Sequence, residues 1–177
     1  YDNAIRWTDR LLGFLLAGLE RHGLRERTLI VFASDHAFHI GEQPLWGKTT
    51  NFELDARVPL IIATPQHQGG QRAAGLVELL DLYPTLADLC GLTEQQPPIL
   101  QGKSLAPVIT RGEVPAPGRV AYTTVRGGRA ATIRTDRWRY TLWNQEEPAG
   151  MEELYDHRSD PEEIRNLADH PDYLEVL

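Results

Sequence analysis

Cysteine is nearly absent. Cys90 is the single one among 177 residues, which excludes an internal disulfide framework and leaves the redox compartment open. No apolar run approaches the roughly 20 residues of a membrane span. Basic charge is the minority sign: 18 Lys+Arg against 25 Asp+Glu give a formal net charge of −7. A general nucleic-acid binder needs a basic footprint, so that class is excluded. An anionic small molecule is not excluded, because a site needs only a few local cations. No secretory signal is visible and residue 1 is Tyr, so the absent leader excludes nothing. Repeats and low-complexity tracts are also absent. What remains, 41% hydrophobic and 24% charged, is the composition of a chain that packs a core. The length suits one ordinary domain or part of a larger one.

Periodicity divides the chain. Ile5, Leu12, Leu15, Leu16 and Leu19 recur at helical spacing, which predicts an amphipathic helix over about 3–22 that needs a sheet to cover. Gly23 then ends it, with Leu24 making the hydrophobic contact. Residues 28–33 and 58–63 are short apolar runs rich in β-branched residues, as strands buried on both faces of a parallel sheet are. Pro59 suits only a strand start or an edge. Leu76, Leu79, Leu80, Leu86 and Leu89 predict helix between 75 and 90, broken near Tyr83 by Pro84 and stopped by Gly91. Residues 94–118 are proline-rich and read as a surface connection. Beyond them, runs at 120–125, 129–134 and 137–143, separated by Gly127-Gly128 and Thr135-Asp136, predict an antiparallel meander. Ser159-Asp160-Pro161-Glu162-Glu163 is a helix-start signal. Three parts are therefore expected: 1–93 from an α/β domain, a connection over 94–118, and a small antiparallel β subdomain with a C-terminal helix over 119–177.

The first strand ends in Ser34-Asp35-His36. Ligands of open α/β sheets bind beyond the carboxyl ends of strands. There, an Asp and a His can offer one carboxylate oxygen and one imidazole nitrogen to a metal. Taken alone, such a pair is more often a capping Asp beside a solvated His.

The surrounding residues add to the pair. Ser34-Asp35-His36-Ala37, Gly41-Glu42-Gln43, Leu45-Trp46-Gly47-Lys48 and Arg57-Val58-Pro59-Leu60-Ile61-Ile62 follow in order. So do Asp81-Leu82-Tyr83-Pro84-Thr85-Leu86, Leu100-Gln101-Gly102-Lys103-Ser104-Leu105, Arg134-Thr135-Asp136-Arg137-Trp138-Arg139-Tyr140 and Glu153-Leu154-Tyr155-Asp156. This succession resembles the C-terminal portion of the type I sulfatases, in the alkaline phosphatase superfamily. The wording around Trp46 and Tyr140 is most similar to the iduronate sulfatase branch. The resemblance implies the C-terminal part of an alkaline-phosphatase-like α/β fold and a sulfuric ester hydrolase acting on a sulfated sugar or related sulfate ester.

By the same resemblance, Asp35 and His36 are two ligands of one divalent cation. Ca²⁺ is the family's usual ion, and a His ligand admits Mn²⁺ or Mg²⁺ as well. Lys48 matches a lysine that contacts the sulfate ester and would steady the leaving oxygen. His39 lies nearby in sequence and stands between a substrate contact and an ordinary surface side chain. Two departures stand out. Ala37 replaces a usual Gly and requires φ below zero. Gln43 stands where many relatives carry His. Glu53 and Asp55 are loop acids that select a basic substrate group or, the commoner case, are solvated or paired with Arg57. Trp46 is expected to pack against the Lys48 loop, and Cys90 to sit in the core.

The family's nucleophile is a formylglycine made from Cys or Ser in C/S-x-P-x-R. Cys90 is followed by Gly-Leu-Thr-Glu, and no Ser of this chain precedes x-P-x-R. The resemblance therefore implies that the nucleophile and the first pair of metal-binding aspartates lie on N-terminal sequence beyond these residues, which would be this chain's partner. It implies relatives that are periplasmic, secreted or lysosomal, with a cytoplasmic location also open. Two other readings are carried. One is a phosphonate monoester or phosphodiester hydrolase of the same superfamily. The other is a non-catalytic fragment that binds a sulfated glycan.

Overall fold

The computed structural model describes residues 1–67, 69–144 and 151–176. In chain order its elements are α1 (Asp2–Arg21), β1 (Ile30–Ala33), β2 (His39–Ile40), β3 (Trp46–Gly47), α2 (Glu53–Ala56), β4 (Leu60–Ala63), α3 (Leu82–Leu89), α4 (Ala106–Arg111), β5 (Ala121–Val125), β6 (Ala130–Arg134), β7 (Trp138–Trp143) and β8 (Met151–Asp156). They fall into two compact units, residues 1–32 with 60–71 and residues 33–59 with 72–177.

The first unit holds α1 and the two-stranded pairing of β1 with β4. The helix ends as its sequence dictates. Gly23 takes a φ of 64°, and the Leu24 amide reaches back 2.9 Å to the Leu19 carbonyl, satisfying a terminal acceptor. Pro59 directly precedes β4, where its missing N–H costs no ladder bond. The unit has almost no interior of its own. No residue of α1 is buried, and Ile5, Trp7, Leu11, Phe14 and Leu15 are all exposed. Among its described residues only Thr64 is buried.

The second unit carries a four-stranded antiparallel sheet in the order β5-β6-β7-β8. The first three strands fall on the predicted runs. The fourth, β8, completes the sheet, with Tyr140 opposite Leu154 and Trp138 opposite Asp156. Alternation sorts its side chains. On one face Leu154 is buried with Leu167 and Ala168, and Trp138, Tyr140 and Tyr173 pack around them. On the other face Thr132 and Thr141 bond hydroxyl to hydroxyl at 2.7 Å, beside the buried Arg139.

Three expectations need correction here. Helix does not begin at 75. A 3₁₀ turn over Leu79–Asp81 leads into α3, so Pro84 falls in the first helical turn, where no N–H is required. Among the described residues the helix-start signal at Ser159 opens no α-helix, and the helical piece of the tail is a single 3₁₀ turn over Pro171–Tyr173. Asp160 does accept the Ile164 and Arg165 amides, but Glu163 adopts a left-handed φ of 57°, which breaks helical progression. Cys90 is exposed as the residue capping α3, not part of a core.

The segment over 100–105 has a clear packing reason. Asp81 is fully buried and accepts from the amides of Glu78 and Lys103 and from the Arg119 guanidinium. Gly102 then lies so close to the Leu80 carbonyl that a Cβ would sit 2.0 Å from its oxygen. No other residue fits without moving the backbone.

Candidate functional site

Asp35 and His36 follow β1 in the chain, and Lys48 follows β3. The structure brings the three together. The Asp35 Oδ1 atom accepts the His36 amide at 3.0 Å, which turns Oδ2 to within 3.5 Å of His36 Nε2. The opposite ring nitrogen, Nδ1, lies 2.9 Å from the Ala37 carbonyl oxygen. A carbonyl only accepts, so Nδ1 carries the proton and Nε2 presents a lone pair. The Lys48 ammonium donates to that lone pair at 2.8 Å. These atoms face outward: the Asp35 side chain is 86% exposed and that of His36 38%. A carboxylate oxygen and an imidazole nitrogen with its other N–H fixed to a backbone carbonyl form the usual frame of a metal-ligating histidine. The pair therefore fits a divalent cation. Because Ca²⁺ takes six to eight ligands, two donors supply only part of its shell. Ala37 is outside the left-handed region, so its Cβ is tolerated.

The loop between these residues is held from within. His39 on β2 pairs with Gly47 on β3. His39 is 0% exposed, which corrects the expectation of a surface side chain. Its Nε2 lies 3.1 Å from Thr50 Oγ1. Glu53 and Asp55 are not solvated and do not pair with Arg57. Asp55 is buried and accepts from Thr50 N and Oγ1 at 2.9 and 2.8 Å. Trp46 is 77% exposed, with its indole over Gly41, and is not packed inside the loop. Gln43 donates to the carbonyls of Glu162 and Glu163, at 3.0 Å each.

A second polar cluster escaped the sequence reading. Glu53, His157 and Glu163 bring ligand-type atoms within 4.8 Å of one another. Two guanidiniums already occupy the cluster. Arg139 pairs with both Glu53 and Glu163 and donates to the Asn51 carbonyl at 2.8 Å. Arg134 lies 3.3 Å from Glu53 and 2.9 Å from His157 Nδ1. Since arginine only donates, Nδ1 accepts, and Nε2–H donates to Glu163 at 2.7 Å. Both imidazole nitrogens are spent and two cations balance two carboxylates, so the cluster is a closed ion-pair network rather than a metal centre. Burial pushes the Glu53 carboxyl upward, but Arg139 and Arg134 outweigh it and hold the carboxyl below its usual range. Nearby, burial and the carboxylates of Glu153 and Glu163 raise the Tyr155 phenol well above its ordinary value. The missed signal was periodic: Arg134 and Arg139 face each other across β6 and β7, on a face that alternation assigns inward.

The sulfatase family model matches residues 1–92. A choline-sulfatase of Rhizobium meliloti (strain 1021) is 37% identical over 173 residues, covering 97% of this chain and 33% of the relative. An arylsulfatase K of Bos taurus is 29% identical over 171 residues, covering 91% and 31%. The chain thus spans about a third of the length of these relatives. A solved structure of a protein with its substrate D-glucosamine-2-N,6-O-disulfate superposes with a TM-score of 0.84 at 29% identity, over 97% of this chain and 36% of the other. A phosphonate monoester hydrolase of Agrobacterium radiobacter gives 0.80 at 30%, over 95% and 36%. With the matched sequence, the shared alkaline-phosphatase-like fold and the ordered motifs in agreement, the chain belongs to the sulfatase family.

Proposed function

We propose that this chain supplies part of a cation-dependent sulfate ester hydrolase. The observation that carries the reading is the convergence of Asp35 Oδ2, His36 Nε2 and Lys48 Nζ on one exposed point. Asp35 and His36 would hold the cation, Ca²⁺ in the first instance with Mn²⁺ or Mg²⁺ as alternatives, which neutralises charge on the sulfate oxygens. Lys48 would place its ammonium against the bridging oxygen, where negative charge grows as the S–O bond breaks. No Cys or Ser of the chain stands in C/S-x-P-x-R, so we assign the formylglycine nucleophile to sequence outside these 177 residues. The completing N-terminal part is then the partner. The substrate class is a sulfated sugar or a small sulfate ester. Choline-sulfatase and arylsulfatase K among the relatives support the class. The likeness at Trp46 and Tyr140 to the iduronate branch is a finer candidate within it.

The test is Lys48→Ala in the full-length protein with an aryl sulfate as substrate. A loss of about 10²–10³ in kcat is expected, the usual effect of removing one charge-stabilising donor. Unchanged turnover removes Lys48 from the reaction. The phosphonate monoester hydrolases among the solved relatives support a second reading, hydrolysis of a phosphonate ester at the same groups. Comparing kcat/KM for phenyl phosphonate ester and aryl sulfate decides between them.

A further inference from the structure

The loop that presents His36 and Lys48 is organised around one buried acid that neither the family resemblance nor the proposed chemistry uses. Asp55 is 3% exposed. Its Oδ2 accepts both the amide and the hydroxyl of Thr50, and its backbone carbonyl accepts the Ala37 amide at 3.0 Å. Because the Thr50 hydroxyl spends its hydrogen on Asp55, its oxygen accepts from His39 Nε2. His39 Nε2 also lies 3.6 Å from Asp55 Oδ1. Ala37 is adjacent to His36 and is the residue whose carbonyl fixes the imidazole. Thr50 is two residues beyond Lys48, and the His39–Gly47 pairing closes the loop between them. Asp55 thus ties down both shoulders of the loop: its carboxylate holds Thr50 and, by way of the Thr50 hydroxyl, His39, while its backbone carbonyl holds Ala37. Burying the carboxylate costs several kcal/mol unless its charge is met, and what meets it is Thr50, through two hydrogen bonds, and the His39 ring at 3.6 Å.

We propose that Asp55 is a positioning residue: through Thr50 and, by way of its hydroxyl, His39, the carboxylate sets the spacing between His36 Nε2 and Lys48 Nζ, and with it cation affinity and turnover. This rests on the sulfate ester reading above. Removing such an outer support typically costs 10- to 100-fold in metal affinity or activity. Asp55→Asn keeps the shape and one acceptor while discarding the charge, and Thr50→Val removes only the shared hydroxyl.

The experiment is a double-mutant cycle in the full-length protein, with Asp55→Asn and Lys48→Ala singly and together. It reads kcat/KM for an aryl sulfate, and Ca²⁺ affinity by calorimetry. Circular dichroism checks that each variant folds, and Thr50→Val stands in if Asp55→Asn does not. Asp55→Asn is expected to lower kcat/KM at least about 10-fold alone and less than about threefold when Lys48 is already Ala, because coupled residues are non-additive. It is also expected to weaken Ca²⁺ binding about 10-fold. Equal losses in both backgrounds, or no loss, overturn the positioning role. If the wild type hydrolyses no sulfate ester, the functional reading fails. The positioning role is then judged on Ca²⁺ alone, and unchanged affinity in Asp55→Asn overturns it.

Discussion

Two polar constellations lie in the same compact unit, and they differ in whether their groups and partners face solvent. In the cluster of Glu53, Arg134, Arg139, His157 and Glu163, every charge meets an opposite charge and both histidine nitrogens are used. Arg139 is 2% exposed. At Asp35, His36 and Lys48 both imidazole nitrogens also have partners, but the groups are solvent-facing, and the partner of Nε2 is an exposed ammonium that an arriving cation can displace. A group of acids and a histidine can satisfy a distance test for metal binding and still have nothing to give an ion. What marks a ligand site is a donor fixed by a backbone bond on one side and facing solvent and a displaceable side chain on the other. The closed cluster instead fastens the loop of Asn51 and Glu53 to β7 and to the segment around Glu163.

The sharpest way to break this contrast is to open the closed cluster. Arg139→Met keeps length and apolar volume while removing the guanidinium, leaving Glu53 and Glu163 facing each other without their main counter-charge. Breaking a buried pair on one side costs about 3–5 kcal/mol, so a large fall in the thermal midpoint of the full-length protein is expected. A fall of under 1 kcal/mol would show that water or the remaining Arg134 replaces it, and that the cluster is not closed.

The exposed pair should respond in the opposite way. Asp35→Asn is expected to leave stability within about 0.5 kcal/mol when measured without divalent cations, as exposed substitutions do, and to weaken Ca²⁺ binding at least 10-fold by titration. Glu163→Gln is the matched control: it should lower stability and leave Ca²⁺ affinity intact. If Glu163→Gln weakens Ca²⁺ binding more than Asp35→Asn does, the two assignments are reversed.

Much of this was legible in the sequence because it rests on local rules. Period and glycine placement predicted α1, β1, β4 and the meander strands, since turns at Gly127 and Thr135 need only neighbouring residues. The Asp35–His36–Lys48 group was legible only through family resemblance, because residues 12 apart meet by loop closure and not by any helix or strand period. The tail misled for a related reason: Ser159-Asp160-Pro161 does begin a turn, but Glu163 departs into the left-handed region, and its carboxylate joins His157 and Arg139. Long-range pairing overrode a local start signal. Asp55 and His39 looked like loop residues for the same reason, since burial by Thr50 and by the β2–β3 pairing leaves no trace in composition.

Acid should separate the two regions more gently. In the folded chain Glu53 feels burial pushing its carboxyl up, while Arg139 and Arg134 pull it further down, below the ordinary value of 4.5. As pH falls through that value the unfolded chain takes up the proton first, so this contribution to stability is present above it and is lost progressively below it. Glu153 runs the other way: burial raises its carboxyl, which relieves part of the penalty on acidification. The net effect is therefore the smallest considered. Glu53→Gln should melt below the wild type at pH 7, and the gap should narrow as pH drops below about 4.5. A gap that stays constant down to pH 3 would mean that Glu53 is held by packing rather than by its guanidinium partners. The closed cluster would then be an apolar wall with charges beside it, not an ion-pair network.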